Sequence, residues 1–239
     1  MNRVLCYCLS LAGLLMFGSP YLASEEPEAP FFPLKPGTSW AYEGTVQWSA
    51  SGERAASKKI RYSMKVSRVV ERDNLRAAVV SGYPGDLDWS EGDRTALLSL
   101  IVETKDGRYY RIAPEQTDSA LKRLADPSDK LDGLLLEDDW FLEKDPAAGK
   151  KYCDAESRVR DDGMYCWMVD SVETSEFRGV HGIPQTKLKA LNLAFRTNPD
   201  DTEIKFVPGI GIMEYAYHHH GTIRETELRL VEFRRSSEP

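Results

Sequence analysis

Apolar and polar residues alternate with a period of two in several short runs of this chain. In residues 40–48, Trp40, Tyr42 and Trp48 fall on one parity, and mostly polar residues fall on the other. Successive side chains of a β-strand point to opposite faces, so this alternation predicts strands with one buried face. Similar strand-like runs occupy residues 60–67, 75–81, 96–104, 109–112, 151–159, 164–173, 185–197, 203–207, 212–217 and 222–233.

Turn and helix signals complete the predicted fold. Asp106-Gly107 separates two of the strand-like runs, and this dipeptide is typical of a tight hairpin. Residues 114–145 break the alternation, and apolar residues at helical spacing indicate one short helix before Asp126-Pro127. We therefore predict a mainly β (α+β) fold, in which about ten or eleven strands form a curved antiparallel sheet or half-barrel. It would be a single domain over residues 37–235, with a helical or irregular insertion at about 114–145.

The N-terminus has the features of an export signal. Arg3 precedes a nearly continuous apolar run over residues 4–17. That run is shorter than the roughly 20 residues needed to span a bilayer, and Pro20 follows it closely. We predict a signal peptide over residues 1–23, a disordered lead-in over residues 24–36, and a periplasmic or secreted location. No later apolar run is long enough for an integral membrane segment.

Two of the four cysteines lie beyond the predicted signal peptide. Cys153 and Cys166 form an even pair in a chain predicted to be exported, which favours one disulfide. The alternative is a pair of buried free thiols. A symmetric hairpin would not place the two cysteines opposite each other, so a bulge or a wider loop is needed between them.

The charges are mixed and mildly acidic. Lysine and arginine number 31 against 38 aspartate and glutamate residues, which gives a net charge of −7. The two signs are interspersed, and no basic stripe is present. Nucleic acid and anionic membrane surfaces are therefore not expected as partners.

Two motifs near the ends of the predicted mature chain carry a family resemblance. The first is Phe32-Pro33-Leu34-x-x-Gly37-x-x-Trp40-x-Tyr42, and the second is Phe206-Val207-Pro208-Gly209-Ile210-Gly211. Together they resemble a group of uncharacterised exported bacterial β proteins, whose shape is similar to the half-barrel of LolA/LolB-type lipoprotein carriers. The resemblance implies a curved sheet and export, and it implies no chemistry. The chain lacks the lipobox that anchors a LolB-type protein.

The second motif also has a plain physical interpretation. Gly209 and Gly211 can adopt positive φ, and Pro208 fixes a bend, so the segment is predicted to form a structural corner. A ligand-binding loop is the alternative.

A histidine triplet is the densest group of metal-capable side chains. On a strand, His218 and His220 would share one face, and Glu225 on the returning strand could face them. Two imidazoles and a carboxylate suit zinc or copper, possible cofactors of a metal-binding and even hydrolytic protein. The alternative is a solvated His-Gly turn without any cofactor, because metal sites commonly use three or four protein ligands.

Aromatic side chains supply the candidate ligand site. The residues that fall on inward parities are Trp40, Tyr42, Trp48, Tyr62, Tyr215 and Tyr217. They could line a concave cavity, or they could form an ordinary aromatic core.

Common catalytic motifs are missing from the sequence. It contains no Gly-x-Ser-x-Gly, no His-Glu-x-x-His and no phosphate-binding glycine-rich loop. We therefore favour a non-enzymatic exported binding protein that holds a hydrophobic small molecule or an envelope protein in its concave face. A metal-binding protein and a structural component of an envelope assembly are the alternatives.

Overall fold

The computed structural model describes residues 30–49, 54–91, 93 and 95–236. These residues form a twelve-stranded antiparallel sheet, which curls into a nearly closed barrel shape, and two α-helices. The strands are β1 Ser39–Trp48, β2 Ala56–Arg72, β3 Leu75–Ser81, β4 Leu98–Thr104, β5 Arg108–Ile112, β6 Trp140–Glu143, β7 Lys151–Tyr152, β8 Trp167–Glu176, β9 Lys187–Arg196, β10 Asp200–Val207, β11 Gly211–His219 and β12 Arg224–Arg234. The helices are α1 Pro114–Ala125 and α2 Ala155–Arg158.

The sheet consists of two six-stranded meanders joined at its centre. The strand order is β6-β5-β4-β3-β2-β1-β12-β11-β10-β9-β8-β7. Within each meander every strand pairs with its sequence neighbour, and the pairing of β1 with β12 joins the two halves. The first and last strands of the chain therefore lie side by side in the middle of the sheet.

The two edges of the sheet meet through side chains. No backbone pairing links β6 to β7 or β8 in the described part of the chain. The Trp140 and Tyr152 rings lie 5.0 Å apart, and those of Phe141 and Trp167 lie 6.4 Å apart. A 2.9 Å ion pair between Lys150 and Glu143 adds to this contact. We call this side-chain contact between the β6 edge and the β7–β8 edge the seam.

Helix α1 packs one face against the sheet. Its Ala120 and Leu124 are buried, and Thr117 donates a 3.1 Å hydrogen bond from its hydroxyl to the Leu98 carbonyl. At its C-terminal end, the Arg123 carbonyl accepts a 2.7 Å hydrogen bond from the Arg72 guanidinium. This bond satisfies one of the carbonyl groups that a helix end leaves without a partner.

The two sequence motifs form one contact. Trp40 Nε1 donates to the Ile210 carbonyl at 2.6 Å, and the Tyr42 hydroxyl donates to the Ile212 carbonyl at 3.1 Å. The φ angles of Gly209 and Gly211 are +81° and +107°, so the prediction of positive φ at both glycines is confirmed. The second motif is therefore a structural corner, held by the aromatic side chains of the first.

The predicted disulfide is confirmed. Cys153 and Cys166 are bonded across a sequence separation of 13, with their Cα atoms 4.9 Å apart. Helix α2 occupies the loop between them and supplies the extra width that a hairpin lacks.

The mainly β antiparallel fold is confirmed, and several strand bounds differ from prediction; three segments differ in kind. Helix α2 replaces the end of the strand predicted over 151–159, because Asp154 caps it by accepting from two backbone N–H groups. Residues 140–143 form β6 inside the predicted irregular insertion, because they pair with β5. The prediction of a disordered lead-in over residues 24–36 is wrong at Phe32 and Leu34, because both side chains are fully buried.

The Phe32 ring packs against the rings of Trp40 and Phe206, and these contacts hold the segment in place. Residues 24–29 and the predicted signal peptide, residues 1–23, lie outside the described residues. Of the helices in the described chain, none has the length and apolar character needed to cross a membrane.

Candidate functional site

A cavity of about 270 Å³ lies on the inner face of the sheet, beside the seam. One side of it is aromatic and is formed by Phe141, Trp167 and Phe195. The other side is polar and includes Asp88, Arg111 and Tyr215. An apolar wall facing a few polar groups is the usual composition of a small-molecule site.

Strand register explains the aromatic side. Phe195 on β9 lies opposite Trp167 on β8 and opposite Thr202 on β10, and Thr202 lies opposite Tyr217 on β11. Directly opposed residues share a face of the sheet, so this row points inward together. The Trp167 and Phe195 rings lie 5.5 Å apart.

The loop between β3 and β4 supplies part of the polar side. It contains a short 3-10 turn, Pro84–Leu87, and it folds over the inner face. Tyr83 and Leu87 are buried, and the Leu87 carbonyl accepts a 3.4 Å hydrogen bond from Thr226 on β12. This position brings Asp88 to the Tyr215 hydroxyl, which lies 2.8 Å and 2.7 Å from its two carboxyl oxygens.

Burial controls the ionisation of these groups. Loss of solvation raises the pKa of Asp88 to about 8, against the opposing effects of the Tyr215 hydrogen bond and of Arg111. Burial also raises the pKa of Tyr215 well above its usual range, and it raises the pKa of Tyr83 to about 12. At neutral pH, Asp88 is therefore mainly a neutral carboxylic acid.

Arg111 is the cation of the site. Its Nη2 donates to Asp86 at 3.3 Å, and its guanidinium lies 4.2 Å from the centre of the Tyr83 ring. Asp86 is itself buried and accepts further hydrogen bonds from the Tyr62 hydroxyl at 3.4 Å and the Leu97 backbone N–H at 3.3 Å. The positive charge of Arg111 is thus largely balanced by a carboxylate that does not line the cavity.

The six aromatic residues predicted to bind a ligand occupy different places. Trp40, Tyr42, Tyr62 and Tyr217 are buried in the core, and Trp48 packs against the core while partly exposed. The Tyr217 hydroxyl donates to Asp200 at 2.6 Å. Tyr215 is the residue of this set that lines the interior cavity. Ligand binding by the set stays a prediction.

The predicted metal residues are only partly brought together. His218 on β11 lies directly opposite Glu225 on β12, whereas His220 lies beyond the end of β11. His219 takes the other face, and its Nδ1 lies 2.8 Å from an Asp200 oxygen. Within the described ranges, no group of three or more histidine, cysteine, aspartate or glutamate side chains is arranged to hold a metal ion. The metal site stays a prediction.

A second concavity, of about 670 Å³, lies on the outer face of the sheet. Its lining includes Glu203, Glu214 and Glu227, together with Lys205 and Arg229. A surface of this charge does not suit an apolar ligand, so the interior cavity is the better candidate.

Sequence reasoning missed most of the cavity. Asp88 falls between the strands predicted over residues 75–81 and 96–104, and Arg111 falls within the short strand predicted over residues 109–112. Trp167 and Phe195 lie in strands that the sequence predicts. Their positions on the inward-facing side of those strands were the signal that could have identified them.

Comparisons with known proteins leave the function open. No protein-family model and no curated protein matches the sequence. A solved structure of a Bacteroides fragilis protein, whose export is inferred and which has a YmcC-like fold, aligns with a TM-score of 0.43 and 12% identity, over 86% of this chain and 99% of that one. A protein from Parabacteroides distasonis, inferred to be a lipoprotein, aligns with a TM-score of 0.41 and 13% identity, over 87% and 100%. At these scores, neither similarity carries an inference about this chain.

Proposed function

We propose that this chain is an exported binding protein that holds a small molecule in the cavity beside the seam. The observation that carries the proposal is the composition of the cavity, which has an aromatic wall of Phe141, Trp167 and Phe195 opposite the polar groups of Asp88 and Arg111. Its volume of about 270 Å³ lies just under the range of roughly 300–1,000 Å³ that is common for ligand pockets. The ligand is therefore small.

This proposal restricts the class of ligand that was predicted from the sequence. A purely apolar molecule would cover the aromatic wall, but it would also bury Asp88 and Arg111 without new hydrogen bonds. Burying polar groups in this way costs free energy. A molecule that combines an apolar body with at least one polar group fits both sides of the cavity.

Export is supported by two features of the chain. The basic and apolar segment over residues 1–17 has the composition of a signal peptide. The Cys153–Cys166 disulfide is typical of proteins that fold in an oxidising compartment.

The site would be entered through the seam. The seam lacks backbone pairing between the two sheet edges in the described chain, so its opening breaks side-chain contacts and leaves both ladders intact. Phe141 and Trp167 belong both to the seam and to the cavity wall. Movement at the seam would therefore expose the cavity directly.

A pair of substitutions on β10 tests the proposal. Thr202 lines the cavity, and its neighbour Glu203 lies on the opposite face of the same strand. Thr202→Phe should fill the cavity, while Glu203→Phe adds the same side chain outside it. Each protein is purified from its own host's envelope and analysed by native mass spectrometry and solvent extraction.

We expect a bound small molecule in the wild type and in Glu203→Phe, and its loss from Thr202→Phe. The same molecule retained in all three proteins would place it elsewhere. An empty wild type would count against the proposal.

Metal binding is the second candidate, favoured by the direct opposition of His218 and Glu225. Calorimetric titration with zinc and with copper should then show a site in the wild type that a His218→Ala/His220→Ala double variant lacks. Equal heats in the two proteins would remove this candidate.

A further inference from the structure

We infer that the cavity binds an uncharged, ring-bearing molecule through a hydrogen-bond acceptor, and that Asp88 in its acid form is the donor to that acceptor. The inference rests on the proposed function and names the class of ligand. It follows from the hydrogen bonds of Asp88, from the charges around it, and from the shape of the opposite wall.

The hydrogen bonds of Asp88 leave room for a donor role. Among the described residues, the Tyr215 hydroxyl is the group that donates to its carboxyl, and one hydroxyl has one hydrogen to give. Asp88 is partly exposed to solvent, and a carboxylate held against the sheet with a single protein donor is poorly stabilised. A carboxylic acid in the same place accepts from Tyr215 and keeps its own O–H for a partner in the cavity.

The charges around Asp88 act on its ionisation in both directions. Asp86 on the same turn and Asp200 on β10 oppose a negative charge on Asp88, whereas Arg111 on β5 supports it. Arg111 is already paired with Asp86 at 3.3 Å. The hydroxyls of Tyr83 and Tyr215 also face Asp88, and the pKa of each is raised, mainly by burial, so both stay neutral at ordinary pH. With the pKa of Asp88 at about 8, the acid predominates at neutral pH.

Charged groups of both signs line the cavity. An anion would meet Asp138 and Asp139, which also line the cavity. A cation would meet Arg111, whose repulsion is weakened by its ion pair with Asp86. Because Arg111 and the acid form of Asp88 are both hydrogen-bond donors, an uncharged group with an acceptor, such as a carbonyl oxygen, satisfies the polar side.

The opposite wall selects a flat apolar body. The rings of Phe141, Trp167 and Phe195 stand within 6.4 Å of their neighbours in this wall. Aromatic rings gain from offset or edge-to-face contact with another ring in addition to the gain from burial. A ring carrying one acceptor thus matches both sides of the cavity.

Three probes of one size test the inference. Benzamide is an uncharged ring with a carbonyl acceptor, benzoate carries a negative charge, and benzylamine carries a positive charge. Binding is measured on the mature protein by NMR titration of the Trp167 indole N–H, at pH 6.5 and at pH 9. Circular dichroism at both pH values checks that the protein stays folded.

We expect benzamide to bind more tightly than either ion at pH 6.5. Its affinity should fall about tenfold at pH 9, because the competent acid form then makes up about one tenth of Asp88. Asp88→Asn keeps a donor and an acceptor in the same shape and cannot titrate, so it should bind benzamide equally at both pH values. Asp88→Leu has no donor and should lose the binding.

The other outcomes separate the ligand class from the proposed function. Tighter binding of benzoate or benzylamine that Thr202→Phe abolishes would keep the cavity as a ligand site and overturn the assignment of an uncharged acceptor. Benzamide affinity that is the same at both pH values in the wild type would overturn the role of the Asp88 acid, and this result needs no variant. No binding of any probe would overturn both proposals.

Discussion

Gly211 is a position at which a single added methyl group should cost stability through both backbone strain and overpacking of a side-chain contact. Its φ is +107°, and it is the first residue of β11. A Cβ at this position would lie 2.8 Å from Phe32 Cε2 and 3.2 Å from Trp40 Nε1. Phe32 is fully buried, and Trp40 is held by its hydrogen bond to the Ile210 carbonyl, so neither side chain has space to withdraw.

Three contributions set the size of the effect of Gly211→Ala. A non-glycine residue at positive φ costs about 1–2 kcal/mol. Overpacking of a filled core adds about 1–3 kcal/mol. Alanine also lowers the conformational entropy of the unfolded chain, which offsets about 0.4–1 kcal/mol of this loss of stability. The free energy of unfolding should therefore fall by about 1–5 kcal/mol, which lowers the Tm of a chain of this size by about 2–20 °C.

Gly149→Ala is the matched control. Gly149 also has a positive φ, +82°, but apart from its chain neighbours no atom of the described residues lies within 4 Å of an added Cβ. It should show the backbone cost without the overpacking. Equilibrium urea unfolding, followed by tryptophan fluorescence, gives the free energy for each protein. Equal losses in the two variants would show that the contact of the two motifs is not tightly packed, and would refute the reasoning.

Three further predictions concern stability. Replacing Cys153 and Cys166 by serine should lower the free energy of unfolding by about 3 kcal/mol, because the open loop gains entropy in the unfolded chain; urea unfolding with and without reductant checks this, and reductant should affect only the wild type. Trp40→Phe should cost about 1–3 kcal/mol in the same assay, since the buried Ile210 carbonyl loses its donor, and an unchanged midpoint would contradict it. The folded-state pKa of Asp88, about 8, exceeds its ordinary value of 3.8. The stability that Asp88 contributes is therefore fully present below about pH 4 and is lost as the pH rises through 8. Relative to Asp88→Asn, the wild type should lose stability over this pH range. Parallel pH profiles of the two proteins would contradict the raised pKa.

Local pattern was enough to predict most of the sheet. The strand predicted over residues 75–81 has the bounds observed for β3, Leu75–Ser81, because a short apolar run there ends before the turn signal Pro84-Gly85. The positive φ of Gly209 and Gly211 follows from residue chemistry alone. The prediction of a strand over residues 151–159 was wrong at its C-terminal end. Asp154 caps a helix there, and its side-chain hydrogen bonds favour the helix over the strand that the sequence pattern indicates.

The candidate site could not be predicted in the same way. Asp88 and Tyr215 are 127 residues apart in sequence, and the fold alone brings them to hydrogen-bonding distance. Inward parity was correct for Tyr215 and Tyr217, which are both buried. Parity cannot show what fills the inside of a curled sheet, and here the loop that carries Tyr83 and Leu87 fills much of it.

The central pairing of β1 with β12 makes this chain a natural subject for circular permutation. Ser39 and Arg234 are register partners, so the two ends of the sheet-forming chain are already adjacent. A chain that began at β7, passed through a short link from β12 to β1, and ended at β6 would pair every strand with its sequence neighbour. Folding rates rise as the mean sequence separation of contacts falls. In the natural order, by contrast, β1 is synthesised first but pairs with β12, which is synthesised last. The centre of the sheet can therefore form only when synthesis is nearly complete.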